Sequence, residues 1–486
     1  MTILFTASEM VPFCKTGGLA DVIGALPPVL AEMGHDIFVM LPGYAFIDRA
    51  RYGFKPMNEK FPIPVGKEMK MLAISSTQWK GITVYLLEND EYFGRGGCYG
   101  DVHGDYEDNG ERFIFFARSI VEAALHLKLV PDIVHVHDWQ ASLVIPYLAT
   151  VYAGEPQFDR TATLFTIHNL GYQGVFPQHL FSLTGLPDEA LHWTKMEYWG
   201  NVSFLKGGIV YADAVSTVSE TYAGEITGKE LGFGLDGVFA ERRNDLYGIV
   251  NGIDQDEWNP GTDTVIPAQY SSDDMSGKEK CRRTLLKVCV MKANSNIPVV
   301  GMVTRLDDQK GLDILEEGTG RLAALNVRMV ILGTGTKEHN ETMKRLASRY
   351  PDRIHVIIGF DNDMARLIYA GSDAFLMPSR YEPCGLGQLI AMRYGTLPVV
   401  HATGGLADTV RDIDNHREDG NGFTFSTYSS DELVDTVART VKVFREHGRI
   451  RWIRAVKHAM KQDFSWKTSA KKYINLYNQI RNRTQP

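Results

Sequence analysis

Residues Lys15-Thr16-Gly17-Gly18-Leu19-Ala20-Asp21 follow the apolar run Thr2-Ile3-Leu4-Phe5-Thr6, and Thr403-Gly404-Gly405-Leu406-Ala407-Asp408 repeats Thr16 to Asp21 letter for letter. The second copy also follows an apolar run, Leu397-Pro398-Val399-Val400. Each copy sits where a buried strand hands over to a helix. Paired glycines there let the backbone approach a ligand, and the first amides of a helix present positive dipole ends to an anion. One copy alone is equally a helix-entry turn of any α/β protein. An identical hexapeptide in each half points to two similar lobes facing one cleft.

Strands alternate with helices on either side of both motifs. In the first half, Met1–Ala7, Asp36–Leu41, Ile82–Leu87, Asp132–His137, Ala162–Ile167, Ala214–Val218 and Tyr247–Val250 read as strands, with helices over Leu19–Met33 and Arg112–Leu127. Asp90–Asn109, rich in Gly, Asp and aromatics, reads as an irregular loop. Around residues 260–296 the pattern lapses into polar sequence with a short basic helix, Lys278–Lys287. Strands restart at Ile297–Thr304, Arg328–Leu332, Ile354–Ile358, Ala374–Met377 and Leu397–Val400. This alternation predicts an α/β protein of two Rossmann-like lobes with parallel sheets, whose ligands gather at the carboxyl ends of the strands. The expected boundaries are 1–250 for the first lobe, 251–463 for the second, and 464–486 for a C-terminal helix returning to the first.

Length and composition agree with that layout. At 486 residues the chain exceeds one ordinary core, and 44% hydrophobic with 23% charged residues is globular usage. No apolar run approaches the ~20 residues of a membrane span, and a strand begins within three residues of Met1, so a cytoplasmic protein without a leader is expected. Five cysteines, odd in number and without a Cys-x-x-Cys pair, fit a reducing compartment. A net charge of −8 argues against nucleic acid or an anionic membrane as a partner. An anionic ligand would need local cations, and Lys15, Arg305 and Lys310 are the candidates.

His135-x-His137-Asp138 ends a strand, and alternate strand residues share a face, so a metal-dependent hydrolase is the rival class. No further His or Cys cluster has ligand spacing. Asp254-x-Asp256 and Asp412-x-Asp414 lie in polar loops and read as solvated turn residues. Arg305 and Lys310 flank a strand-to-helix turn, where a guanidinium fork and an ammonium suit a diphosphate. Glu382, one residue before a proline and near a helix start, is placed to hold sugar hydroxyls or steady a cationic transition state. It is equally placed to favour a helix dipole.

Together, Lys15-Thr16-Gly17-Gly18-Leu19, His137-Asp138-Trp139, Thr166-Ile167-His168-Asn169-Leu170, the Arg305 to Gly311 turn, Ser379-Arg380-Tyr381-Glu382-Pro383-Cys384-Gly385-Leu386 and Thr403 to Asp408 resemble the bacterial glycogen synthases and plant starch synthases. That resemblance runs the whole chain and implies the two-lobed GT-B fold, with an acceptor-side first lobe and a donor-side second lobe. It implies transfer of glucose from ADP-glucose to the non-reducing 4-hydroxyl of an α-1,4-glucan (glycogen or maltodextrin), with retention. It implies no metal requirement, and no cofactor is expected. Carried over position by position, Lys15, His168, Arg305, Lys310 and Glu382 are the catalytic set. In that set the His168 carbonyl steadies the anomeric carbon and the two second-lobe cations neutralise departing ADP. Gly17, Gly18, Asp21, Asp138, Asn251, Cys384, Gly385, Leu386 and Thr403 line the donor site, Phe360 stacks on the base, and Tyr99 helps with the glucan. Two departures stand out: Gln140 where many relatives have His, and Ile390 where related retaining families place a second Glu. Synthases of this family also lack that second acid. With one well-placed carboxylate, same-face attack is expected, the departing phosphate taking the acceptor's proton. Lobe closure about hinges near Asn251 and Asp463 is expected to exclude water.

Overall fold

The computed structural model describes residues 1–57, 59–101 and 103–484. The chain forms two compact units, Met1–Asn251 with Trp466–Pro486 and Gly252–Ser465.

The first unit is built on a sheet whose order, edge to edge, is Leu246–Gly248, Ala214–Thr217, Ala162–Ile167, Ile133–His137, Thr2–Thr6, Asp36–Pro42, Ile82–Glu88, Glu68–Trp79 and Lys55–Pro56. The seven strands from Leu246–Gly248 to Ile82–Glu88 are mutually parallel. Thr2–Thr6 lies at the middle, and the strand order reverses between it and Ile133–His137. In such sheets the crevice outside the carboxyl ends at the reversal is the binding position. The Gly17-Gly18 loop and the His137-Asp138 turn follow those two strands.

The alternation predicts a parallel sheet, and this one is parallel over only part of its width. Glu68–Trp79 runs antiparallel to Ile82–Glu88 through a tight turn at Lys80-Gly81, and Phe61–Val65 pairs antiparallel with Glu68–Trp79. Its exposed face carries Met69 and Met71, so the alternation that would reveal a strand is blurred. The segment Asp90–Asn109 is likewise more ordered than an irregular loop. It contains the helix Asp90–Phe93 and the short ladder Gly100–Asp101 with Gly104–Asp105. The fully buried Arg112 guanidinium ties it down, donating to the Tyr92 carbonyl (2.7 Å), the Cys98 carbonyl (3.1 Å) and Asn109 Oδ1 (2.6 Å).

The helix Trp466–Thr484 belongs to the first unit. Ala470, Tyr473, Leu476, Tyr477 and Ile480 form its buried stripe, the i, i+3, i+4 spacing of an amphipathic helix. It packs on the helix Gly18–Glu32, and the Tyr477 hydroxyl meets His135 Nδ1 at 2.8 Å.

The second unit holds a six-stranded parallel sheet ordered Ile354–Ile358, Arg328–Gly335, Val299–Leu306, Ala374–Met377, Leu397–His401 and Phe423–Phe425. Its order reverses between Val299–Leu306 and Ala374–Met377, and the turns carrying Lys310 and Glu382 leave those two strands. The strand Val299–Leu306 extends two residues beyond Thr304, so Arg305 is a strand residue in register with Thr334. Asp412 departs from its reading as a solvated turn residue. It is buried, accepts the Thr424 amide at 2.9 Å and pairs with Arg439 at 3.1 Å. Asp254 does act as a turn residue, accepting the amides of Asp256 and Glu257.

Among the described residues no helix is long and apolar enough to cross a membrane. All five cysteines are free and buried.

Candidate active site

In the first unit the Gly loop rests on a carboxylate. Glu9, 3% exposed, follows the strand Thr2–Thr6. Its Oε2 accepts the amides of Thr16 and of Gly17 (3.1 Å), and its Oε1 accepts the hydroxyls of Thr16 (2.6 Å) and Tyr99 (2.6 Å). The Tyr99 and Ser8 hydroxyls are 2.7 Å apart. Tyr99 therefore braces the loop through its hydroxyl. Burial pushes that phenol well above its ordinary range. Glu9 escaped the sequence reading because a lone acid before a glycine motif has no spacing signature. Its only signal was position at a strand end.

The loop glycines serve different ends in the two copies of the hexapeptide. A Cβ added to Gly17 or Gly18 meets nothing within 4 Å, and Gly17 has extended backbone (φ −148°). A Cβ on Gly404 would lie 2.1 Å from the Glu382 carbonyl, and one on Gly405 2.1 Å from that of Cys384. Gly404 also has φ +44°, and the Gly405 amide donates to the Glu382 carbonyl at 3.1 Å. The first pair borders open space, whereas the second lets two protein segments touch.

Lys15 and Asp21 form an ion pair at 2.7 Å, both half-exposed. Burial raises the Asp21 carboxyl, and Lys15 partly offsets it. Asp138 begins the turn after Ile133–His137 with φ +54°, a left-handed conformation that non-glycine residues adopt at some strain. Its Oδ1 accepts the His168 amide at 2.7 Å, which fixes the carboxylate against the loop that follows Ala162–Ile167. Burial pushes its carboxyl up to about 7, while the amides of His168 and Asn169 pull the other way. His168 Nε2 meets His137 Nδ1 at 2.9 Å, and burial pushes His168 down to about 3, leaving a neutral imidazole.

The His-x-His pair does share a face, with ring centroids 4.0 Å apart. Both His135 nitrogens are occupied, by Tyr477 and Thr166, and His137 is turned to His168. Burial drives both imidazoles well below their usual range. Asn251 and Gln140 are buried, and the side-chain oxygen of each has no hydrogen-bond partner among the described residues.

In the second unit, Lys310 and Glu382 meet directly. Lys310 Nζ lies 2.7 and 3.0 Å from the two Glu382 oxygens, with side chains 14% and 9% exposed. Glu382 also accepts the Ser379 hydroxyl at 2.9 Å. The Arg380 amide donates to the Gln309 carbonyl (2.8 Å), joining the two turns. Gly311 has φ +73°, and a Cβ there would lie 2.0 Å from the Pro378 carbonyl, so only glycine lets the turns close. Arg305 is half-exposed, 3.4 Å from Asp307. Gln388 donates to the carbonyls of Cys384 and Gly385, both at 3.0 Å, and shapes the loop that leads through Leu386 into the helix Gly387–Arg393. Thr403 precedes the helix Gly404–Thr409 and is buried. Phe360 follows the strand Ile354–Ile358 with its ring 81% exposed.

Each unit thus gathers its candidates at the carboxyl edge of a parallel sheet: Lys15, Gly17, Gly18, Asp21, Tyr99, Asp138 and His168 in the first, Arg305, Lys310, Phe360, Glu382 and the Cys384 to Leu386 loop in the second. Residues 2–241 match the family described as starch synthase catalytic domain, and residues 290–448 that described as glycosyl transferases group 1. The two units are those of a glycosyltransferase. A glycogen synthase of Geotalea daltonii is 44% identical over 480 residues, covering 99% of each chain. One of Koribacter versatilis is 43% identical over 487 residues, covering 100% of this chain and 99% of its own. The catalytic domain of starch synthase IV from Arabidopsis thaliana, bound to ADP and acarbose, superposes with a TM-score of 0.92 at 32% identity over 99% of both chains. A sucrose-phosphate synthase from Thermosynechococcus elongatus, at 17% identity and a TM-score of 0.61, shares the fold alone. The chain belongs to the glycogen synthase and starch synthase family, with its two-domain GT-B fold.

Proposed function

We propose that this chain transfers glucose from ADP-glucose to the 4-hydroxyl at the non-reducing end of an α-1,4-glucan, glycogen or a maltodextrin, with retention at the anomeric carbon. The observation that carries the reading is the full-length agreement with a starch synthase bound to ADP and acarbose. The donor, the acceptor and five buried free thiols fit a cytoplasmic enzyme.

Breaking the bond to ADP builds negative charge on phosphate and positive charge on the sugar. Lys310 has three N–H donors, of which Glu382 engages at most two, so one remains for a phosphate oxygen. Arg305, near the end of the strand that leads into the Lys310 turn, adds a guanidinium, and Lys15 beside the first Gly loop is a further cation. Glu382, fixed by Lys310 and Ser379, holds sugar hydroxyls and favours the cationic sugar. Phe360 offers the base a stacking face. His168 stays neutral at working pH, so its part is played by the backbone carbonyl rather than by proton transfer. Asp138 is pinned by the His168 amide beside it. Asn251 and Asp21 take donor contacts, and Tyr99 acts by bracing the Gly loop. The acceptor's proton goes to the departing phosphate. Losing one such preorganised partner typically costs about 10²–10³ in rate, ~3–4 kcal/mol.

The test is incubation with glycogen and either ADP- or UDP-glucose, measuring nucleotide release and chain growth. ADP-dependent growth that Glu382→Ala abolishes supports the proposal. A covalent glucosyl adduct on Glu382 would overturn same-face attack, and inactivation by a chelator would overturn the metal-free reading.

A further inference from the structure

In the second unit a cavity of about 330 Å³ lies at the amino edge of the sheet, where Asp373 and Gly395 precede the strands Ala374–Met377 and Leu397–His401. Lys310 and Glu382 lie past the other ends of these parallel strands, so the cavity is separate from the candidate donor groups. Its size is that of a small-molecule pocket. Two helices wall it with residues one turn apart, which share a face. Ser276–Val288 contributes Lys278 and Arg282, and Ile450–Lys461 contributes Trp452, Ile453, Val456 and Lys457.

One wall is apolar and flat. Trp452 meets Phe444 edge-on, with ring centroids 5.0 Å apart at 88°. The Arg449 guanidinium lies over the Phe444 ring at 4.0 Å, and Ile453 is 46% exposed at the mouth.

The other wall carries charge, and its acids are already engaged. Asp373 meets Arg282 Nε at 3.1 Å, Glu279 meets Arg283 Nε at 3.3 Å, and Asp273 lies 3.8 Å from Lys461. Arg449 and Lys457 pair with no carboxylate among the described residues. Lys278 spends its three N–H donors on the carbonyls of Ala370 and Tyr394 and on Thr396 Oγ1, so it closes the floor. Arg282, only 5% exposed, gives Nε to Asp373 and Nη2 to the carbonyls of Asn294 (3.1 Å) and Ile297 (2.7 Å). Its Nη1 carries two further donors and makes no hydrogen bond among the described residues. Buried donors left unspent are costly until a partner arrives. The cationic excess continues nearby. Arg328 is buried with Nε and Nη1 unpartnered among the described residues, and burial, then the charges of Arg282 and Arg353, pulls it below its ordinary range.

We infer that this cavity binds a small aromatic anion, its charged group on Arg282 Nη1 and Lys457 and its ring against Trp452, Val456 and Ile453. No group of the catalytic set lines the cavity, so the occupant is bound and not transformed. Arg282 keeps its contacts to Asp373 and the two carbonyls when Nη1 is engaged, so the site is preformed. The inference stands apart from the proposed activity, and no sugar nucleotide enters its test.

The experiment titrates the full chain with anilinonaphthalene sulfonate, an aromatic anion, by calorimetry in excess ADP. Wild type should bind one probe per chain, with an affinity that falls as salt is added. Lys457→Glu should weaken binding about tenfold, and Ile453→Glu with Lys457→Glu further still. Both positions are exposed, so the melting temperatures of these variants should stay within about 2 °C of wild type. Arg282→Lys keeps a cation for Asp373 and removes Nη1, and should lose binding as well; if it does not fold, the two surface variants still decide. A wild type that binds no probe beside ADP, or a double variant that binds as wild type does, would overturn the inference. Salt-insensitive binding would also overturn it, because it would reduce the site to an apolar patch.

Discussion

Replacing Lys310 by methionine keeps the length of the side chain and removes its charge. In the structure that charge lies 2.7 Å from Glu382, and both side chains are largely buried. Removing one member of a buried pair strands the other and costs about 3–5 kcal/mol. Glu382 keeps the Ser379 hydroxyl at 2.9 Å, which sets the expectation at the lower end, about 3 kcal/mol. For a unit of this size a kcal/mol is worth about 2–4 °C, so the second unit's transition should fall by about 6–12 °C in calorimetry. Glu382→Gln should also destabilise, because it leaves the largely buried Lys310 ammonium without its carboxylate partner. The double variant Lys310→Met with Glu382→Gln buries no charge and should recover to within about 1 kcal/mol of wild type. Activity should behave oppositely: Lys310→Met loses about 10²–10³ in turnover and the double variant recovers none of it. Stability losses that simply add, or a Lys310→Met enzyme of full activity, would refute the reasoning.

The glycine pairs make a second test. Gly18→Ala meets nothing within 4 Å in a first helical turn, so its melting temperature should hold or rise while the KM for ADP-glucose climbs about tenfold. Gly405→Ala drives a methyl into the Cys384 carbonyl and should cost about 1–3 kcal/mol with a fall in kcat; equal melting shifts in the two variants would contradict this. Glu9→Ala leaves loop amides and hydroxyls without their acceptor, about 1–3 kcal/mol for each group left unsatisfied, and wild-type urea denaturation would count against it. The folded Asp138 carboxyl, near 7, lies above its unfolded value of about 4, so its stabilising contribution is full below about pH 4 and lost as pH rises through about 7. Asp138→Asn should flatten that part of the stability profile between pH 4 and 7; parallel wild-type and variant profiles would exclude the effect.

The strands that carry the motifs could be read from sequence because each is a short apolar run bounded by glycine or a charged turn, and a parallel strand buried on both faces has that signature. The antiparallel addition over residues 61–79 could not, since Met69 and Met71 stand in solvent where polar residues would mark the alternation. Motif spacing pointed to Lys310 and Glu382 separately, but their contact spans 72 positions and depends on two turns meeting at Gly311. Glu9 was hidden for a related reason: its role lies in four donors arriving from Thr16, Gly17 and Tyr99, the last some 90 residues away. The repeated hexapeptide identified the correct strand ends. Identical letters did not reveal that one glycine pair borders open space and the other admits a neighbouring carbonyl.

The helix Trp466–Thr484 lies on the sheet formed by the first half of the chain, and Tyr477 completes the hydrogen bonding of His135. Residues 1–251 are synthesised before 252–465 yet lack that helix until residues 466–484 follow. The uninterrupted stretch 252–465 already has all its own strands before then. The first unit is therefore completed after the second, and a product truncated just before Trp466 would carry a complete second unit and a first unit with an uncovered apolar flank.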